Sequence, residues 1–163
     1  MDTSKKIVTL EDLVARLGKA RKSGEKIVFT NGCFDIMHVG HVRYLADAKS
    51  HGDLLVVGLN SDASVRLIKG DKRPIIHQGS RAELLASLAC VDYVVLFEEP
   101  DPLTLIQTIK PDVLAKGEDW AADAIIGAED VKSRGGKIVR ISFVEEASST
   151  DIIQTILQRH QKD

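Results

Sequence analysis

Two histidines three residues apart, in the run His38-Val39-Gly40-His41, stand where an apolar stretch ends and a helical pattern begins. A helix N-terminus offers unpaired backbone N–H groups and a partial positive charge, so it attracts phosphate. Imidazoles placed there add hydrogen-bond donors, and protonated ones add charge. Gly40 between them allows a phosphate to approach the backbone closely. The expected ligand is a nucleoside triphosphate bound across the end of a parallel sheet. Zinc is not indicated, because no paired cysteine or third ligand stands at metal spacing. The spacing also matches neither the P-loop nor the dinucleotide glycine pattern.

These residues must be positioned by the surrounding elements, and helical and strand patterns alternate along the chain. Thr9 caps a predicted helix through about Lys22, stopped by Ser23-Gly24. Strands are predicted over 26–30, 53–59, 92–97, 112–115 and 137–141. Helices are predicted over 40–50, from a cap at 60–62 through 68, over 79–89, 100–109 and 124–133, and from Ser149 or Thr150 to about Arg159. Asp53–Leu59 is a continuous apolar run, as in strands covered on both faces. The fold class expected is α/β: a Rossmann-like, doubly wound, mostly parallel five-stranded sheet with helices on both faces. Such sheets bind ligands beyond the carboxyl ends of their strands, near the point where strand order reverses. The polar clusters at 31–41, 60–62 and 116–120 fall there.

Length and composition agree with one domain over residues 1–163, with a helix at about 9–23 preceding a core at 25–160. The chain is 44% apolar and 28% charged, with a net charge of −2, so no nucleic-acid partner is indicated. Phosphate binding must come from local geometry. Cys33 and Cys90 are too few for a disulfide framework, and a reducing cytoplasm is the default. Cys33 is expected as a small residue close to phosphate and Cys90 as a buried apolar one. His51, His77 and His160 are expected on the surface. The N-terminus lacks the apolar stretch of a signal peptide, and no apolar run reaches the ~20 residues of a membrane span.

The run Thr30-Asn31-Gly32-Cys33-Phe34-Asp35 followed by His38-Val39-Gly40-His41 resembles the His-x-Gly-His nucleotidyltransferases, in their cytidylyltransferase-like branch. Lys69-Gly70-Asp71-Lys72-Arg73-Pro74-Ile75, Lys116-Gly117-Glu118-Asp119-Trp120 and Ser148-Ser149-Thr150-Asp151-Ile152 extend the resemblance. It covers residues 25–158 and is strongest to the heptose-phosphate adenylyltransferases. Glu118 stands where those enzymes carry a second glycine. Phe143 stands where cytidylyltransferases carry an arginine, and Glu145-Glu146 precede the last motif.

The resemblance implies transfer of AMP from ATP to D-glycero-β-D-manno-heptose 1-phosphate, giving ADP-heptose and pyrophosphate for bacterial surface polysaccharide. It implies Mg²⁺ with the nucleotide, no organic cofactor, a cytoplasmic location and a homodimer. Catalytic roles fall to His38, His41 and Lys69. Nucleotide binding falls to Thr30, Asn31, Gly32, Cys33, Phe34 and Gly40, and to Lys116, Ser148, Ser149 and Thr150. Contacts to the sugar phosphate fall to Asp35, Asn60, Arg73, Arg81, Asp119 and Trp120. Second roles stay open for some of them. Asp35 could orient its loop, hold a metal or satisfy backbone amides. Trp120 could line the pocket or the core, and Lys72 could be solvated. A glycerol-3-phosphate cytidylyltransferase and an inert nucleotide-binding domain are the alternatives.

Overall fold

The computed structural model describes residues 2–118, 121, 124–142 and 148–160. Asp119, Trp120 and Phe143–Ala147, including Glu145 and Glu146, lie outside them. Five parallel strands form one sheet: β1 (Ile27–Gly32), β2 (Leu54–Asn60), β3 (Tyr93–Phe97), β4 (Val113–Gly117) and β5 (Lys137–Ile141). Their order is β3-β2-β1-β4-β5. The chain therefore runs outward from β1 to β3, then returns to start β4 on the other side of β1. That reversal opens a crevice at the carboxyl ends of β1 and β4, the expected location for a ligand.

The helices are α1 (Leu10–Lys22), α2 (Val39–Ser50), α3 (Asp62–Lys69), α4 (Gln78–Ser87), α5 (Leu103–Ile109), α6 (Ala128–Ser133) and α7 (Ser149–His160). Side chains alternate across the strands and build two cores. Val28, Leu55, Val57 and Val94 pack with Leu45 of α2 and Leu85 of α4. Ile27, Phe29, Val56 and Val95 pack on the other face with Leu13 and Leu17 of α1, Ile106 of α5 and Val131 of α6. Each sheet face is thereby covered, which explains the unbroken apolar run of β2. No helix among the described residues is long and apolar enough to cross a membrane.

Two boundaries differ instructively from expectation. The helix expected over 124–133 begins only at Ala128, because Gly127 adopts a left-handed conformation (φ 83°) immediately before it. The last helix is capped by Ser148 rather than Ser149 or Thr150: the Asp151 amide donates to the Ser148 hydroxyl at 3.0 Å. Cys90 is half-buried rather than fully enclosed.

The N-terminal segment carries structure that periodicity did not indicate. A 3₁₀ turn at Thr3–Lys5 leads to a parallel bridge between Ile7 and Val94 of β3. The Lys6 ammonium donates to the Leu88 and Val91 carbonyls at 3.0 and 2.7 Å.

Gly127 offers a direct check on this packing. A Cβ there would lie 2.7 Å from Ile106 Cδ1 and would be forced into a left-handed backbone. Gly127→Ala is expected to lower stability by about 2–4 kcal/mol, read as a lower urea midpoint with an unchanged slope.

Candidate active site

At the end of β1, Gly32 turns the chain into a Cys33–Asp35 loop whose Phe34 has φ 44°. A Cβ on Gly32 would sit 3.0 Å from the Phe34 ring, so the glycine makes room for it. The Phe34 ring in turn meets His41 edge-on, with centroids 5.3 Å apart. Phe34 thus buttresses the His-x-Gly-His segment rather than lying free.

His38 occupies the N-cap of α2 in extended conformation, and Gly40 is buried in the helix's first turn. The His41 amide donates to the His38 carbonyl at 3.0 Å, and the two rings stack with centroids 3.9 Å apart. Both Nδ1 atoms are buried without a hydrogen-bond partner among the described residues. Burial lowers the pKa of His38. His41 is pushed down to about 4 by burial first, then by His38 and Lys69. Both shifts favour the neutral imidazole near pH 7, so of the two roles read from sequence the donor role is the one met here, each ring presenting one N–H and one lone pair.

Asp35 is 2% exposed and holds the loop in place. Its carboxylate accepts from the Ile75 and Ile76 amides at 2.8 and 2.9 Å and pairs with Arg73 Nε at 2.5 Å. Burial alone would raise its pKa, but those amides and Arg73 outweigh it and hold it below the usual value.

Arg81, expected to touch substrate, is wholly internal and lies away from the cavity. Its guanidinium donates to the Cys33 carbonyl at 2.5 Å, the Ile76 carbonyl at 2.9 Å and Asp62 Oδ1 at 2.7 Å. The physical reason is its place on the inward face of α4, beneath the turn that follows β1. Thr30, expected to bind nucleotide, is also fully buried. Its hydroxyl lies 2.7 Å from the Tyr44 hydroxyl, which donates to the Ala115 carbonyl at 3.2 Å, so the pair ties α2 to β1 and β4.

A cavity of about 390 Å³ opens over this framework. Its centre is lined by Asn31, Gly32, Cys33 and His41, with Lys69, Arg73 and Lys116 as cations. The Lys116 ammonium rests on the Asn31 side-chain oxygen, bridging the reversal between β1 and β4. Burial raises the Cys33 thiol pKa, against the pull of Lys69, Arg81 and Arg73. Asn60 is 3% exposed on the cavity wall, and its amide nitrogen donates to Ser64 Oγ at 2.9 Å. Ser149 reaches the cavity too and donates to the Ile36 carbonyl. Ser148 and Thr150 are exposed and do not line it, nor does Lys72. Asp119 and Trp120 fall outside the described residues.

Sequence reasoning missed Tyr44, Asp62, Asp101 and the Ile125-Ile126 pair. Tyr44 lies one turn beyond His41, a spacing that would have placed it beneath the histidines. No group of three His, Cys, Asp or Glu side chains that could hold a metal occurs among the described residues. Both Asp35 oxygens are engaged by Arg73 and the Ile75 and Ile76 amides.

A parallel sheet with basic and imidazole groups gathered in a cavity at its reversal point has the form of a nucleotide-handling α/β domain. A family model described as cytidylyltransferase-like matches residues 29–155, and the chain belongs to this family of nucleotidyltransferases. The bifunctional protein HldE of Geobacter metallireducens is 51% identical over 162 residues, covering 99% of this chain and 33% of that protein. HldE of Geobacter sulfurreducens is 50% identical, covering 97% and 32%. The chain thus spans about a third of the length of these relatives. A lipopolysaccharide core biosynthesis protein from Thermoplasma volcanium superposes with a TM-score of 0.64 at 34% identity, over 75% of this chain and all of that one. Pantoate-beta-alanine ligase from Francisella tularensis shares the fold, with a TM-score of 0.65 at 19% identity over 96% of this chain and 79% of that one.

Two expectations follow from this geometry. Depressed histidine pKa values mean that the unfolded chain binds more protons below about pH 6.5, so acid favours unfolding. Stability should be full above about 6.5 and decline as the pH falls toward about 4, and His41→Gln should flatten that decline in urea titrations. Arg81→Met leaves Asp62 and two carbonyls without their donor. It is expected to cost about 3–5 kcal/mol, measured by thermal unfolding.

Proposed function

We propose that the domain transfers AMP from ATP to a sugar 1-phosphate, D-glycero-β-D-manno-heptose 1-phosphate, releasing pyrophosphate and ADP-heptose for lipopolysaccharide or related surface polysaccharide. The observation that carries this reading is the meeting of His41, Lys69, Arg73 and Lys116 in one cavity at the sheet's reversal. About 50% identity to HldE proteins over nearly the whole chain supports the choice of substrates.

The chemistry needs no protein nucleophile. A sugar-phosphate oxygen forms a bond to the α-phosphorus as the bond from that phosphorus to the bridging oxygen breaks. Pyrophosphate leaves with the electron pair. Catalysis is then positioning and charge stabilisation. His38 and His41 donate N–H bonds to phosphate oxygens, and a bound polyanion raises their pKa toward the protonated form. Lys69, Arg73 and Lys116 supply fixed charge, and Ser149 with the start of α7 supplies donors. Lys116 exchanges the Asn31 oxygen for a phosphate oxygen on binding. The chemistry that Mg²⁺ would supply, bound with the triphosphate, is neutralisation of phosphate charge.

Arg81 and Thr30 act here as positioning residues, and Asp35 sets the loop through Arg73. Asp119, which follows β4 in sequence, is assigned a ribose hydroxyl and Trp120 the base pocket in this reading. It also includes a bacterial cytoplasmic location and a homodimer, the latter checked by sedimentation.

The test is pyrophosphate release from ATP or CTP with heptose 1-phosphate or glycerol 3-phosphate. Release is expected only with ATP and the heptose phosphate. Release with CTP and glycerol 3-phosphate instead would overturn the substrate assignment. His41→Ala should lower turnover by about 10²–10³-fold while circular dichroism stays unchanged.

A further inference from the structure

The cavity is not uniform along the sheet. Its lining takes in Pro100, Asp101 and Pro102 from the loop after β3, Asn60 at the end of β2, Asn31 and Gly32 of β1, and Lys116 and Gly117 of β4. His41 and Lys69 line it together with the loop that follows β1. The β4 side is closed by Gly117, Ile125 and Ile126, an apolar wall. The β2–β3 side differs in kind, since Asn60 and Asp101 bring oxygen acceptors between Pro100 and Pro102.

Asn60 is held in one orientation. Its nitrogen donates to Ser64 Oγ, which donates to the Glu99 carbonyl at 2.7 Å. The amide nitrogen is thus turned toward α3, leaving the Asn60 oxygen as the end that faces Cys33, 4.0 Å from its sulfur. Asp101 is partly buried, and one carboxylate oxygen accepts from the Leu103 amide at 2.9 Å, starting α5. Its other oxygen has no protein partner among the described residues. Unlike Asp35, whose two oxygens are taken by Arg73 and the Ile75 and Ile76 amides, Asp101 brings to the cavity a carboxylate with that oxygen uncommitted, which is a poor neighbour for phosphate. It is a good acceptor for hydroxyl groups.

We propose that Asp101, with Asn60, forms the polyol subsite of the cavity, and that Asp101 is a specificity residue accepting hydrogen bonds from the hydroxyls of the sugar phosphate. The inference rests on the sugar-phosphate reading above. The acceptor pair binds the hydroxyl-rich substrate on the β2–β3 side, and the apolar β4 side takes the nucleoside base. Both reach the cations over β1 with their phosphates, which brings acceptor and donor phosphates together in the middle.

Asp101 also accepts from the Leu103 amide at the start of α5, so the test must separate the two roles. Asp101→Ser retains a hydroxyl able to accept from the Leu103 amide but removes the second oxygen. The experiment measures steady-state pyrophosphate release with heptose 1-phosphate, hexose 1-phosphates and glycerol 3-phosphate, each with ATP and Mg²⁺. For the preferred phosphate, Asp101→Ser and Asp101→Ala are both expected to raise KM about tenfold or more. KM for ATP should stay within about twofold, as should the Mg²⁺ requirement. A wild-type KM for that substrate in the serine variant would overturn the proposal. A shared rise in both substrate KM values, or a changed Mg²⁺ requirement, would overturn it as well. Preference of the wild-type protein for a phosphate other than heptose 1-phosphate would sink the heptose assignment alone, because the Asp101 effect is read on whichever sugar or polyol phosphate is preferred.

Discussion

The buried guanidinium of Arg81 is the constraint on which the site depends. A charge taken out of water is tolerable only when its donors are met. Its partners come from three separate stretches: the turn after β1, the segment before α4 and the start of α3. Satisfying one side chain therefore fixes three backbone segments relative to one another. Asp35 and Arg73 repeat the arrangement a few residues away, with the carboxylate now buried and the cation nearer the cavity. The loop between β1 and α2 is braced from below by one pair and from the side by the other. Phe34 can then occupy a left-handed conformation and present its edge to His41.

The electrostatics follow from the same crowding. The chain carries a net charge of −2, yet the cavity gathers Lys69, Arg73 and Lys116. The Asp35 carboxylate offsets the charge of Arg73, and Lys69 and Lys116 bring further positive charge to the same cavity. Burial and neighbouring positive charge keep His41 unprotonated until an anion enters. A site of this kind suits a polyanion without carrying the full repulsion of two further cations.

Much of this was legible in the sequence because the signals were periodic or chemically distinctive. Alternation of apolar runs with helical spacing located all five strands to within two residues at most ends, and the β5 bounds agree at both ends. The histidine pair marked the start of α2. What escaped was anything decided by packing across the chain. Arg81 reads as an ordinary helix arginine, since nothing local reveals that its face turns inward onto Cys33. Thr30 sits in a motif associated with phosphate, but the neighbouring Tyr44 takes its hydroxyl. The start of α6 moved because Gly127 meets Ile106, a residue more than 20 positions earlier. Asp101 lies in an acidic, proline-flanked turn that looks like solvent-exposed punctuation until β3 is laid beside β2.

The bridge between Ile7 and Val94 has a consequence for how the molecule behaves in a crowded solution. Open sheet edges recruit strands from other chains, and parallel sheets leave two of them. Here the β3 edge is partly occupied by the protein's own N-terminal segment, fastened by Lys6. The opposite edge, β5, carries exposed Lys137 and Arg140, whose like charges discourage stacking in register. Loss of the first few residues would bare the β3 edge, which has Val94 and Val95 at its centre and lacks such charges. Trimming of the N-terminus would therefore favour self-association well before it disturbed the histidine pair at the start of α2.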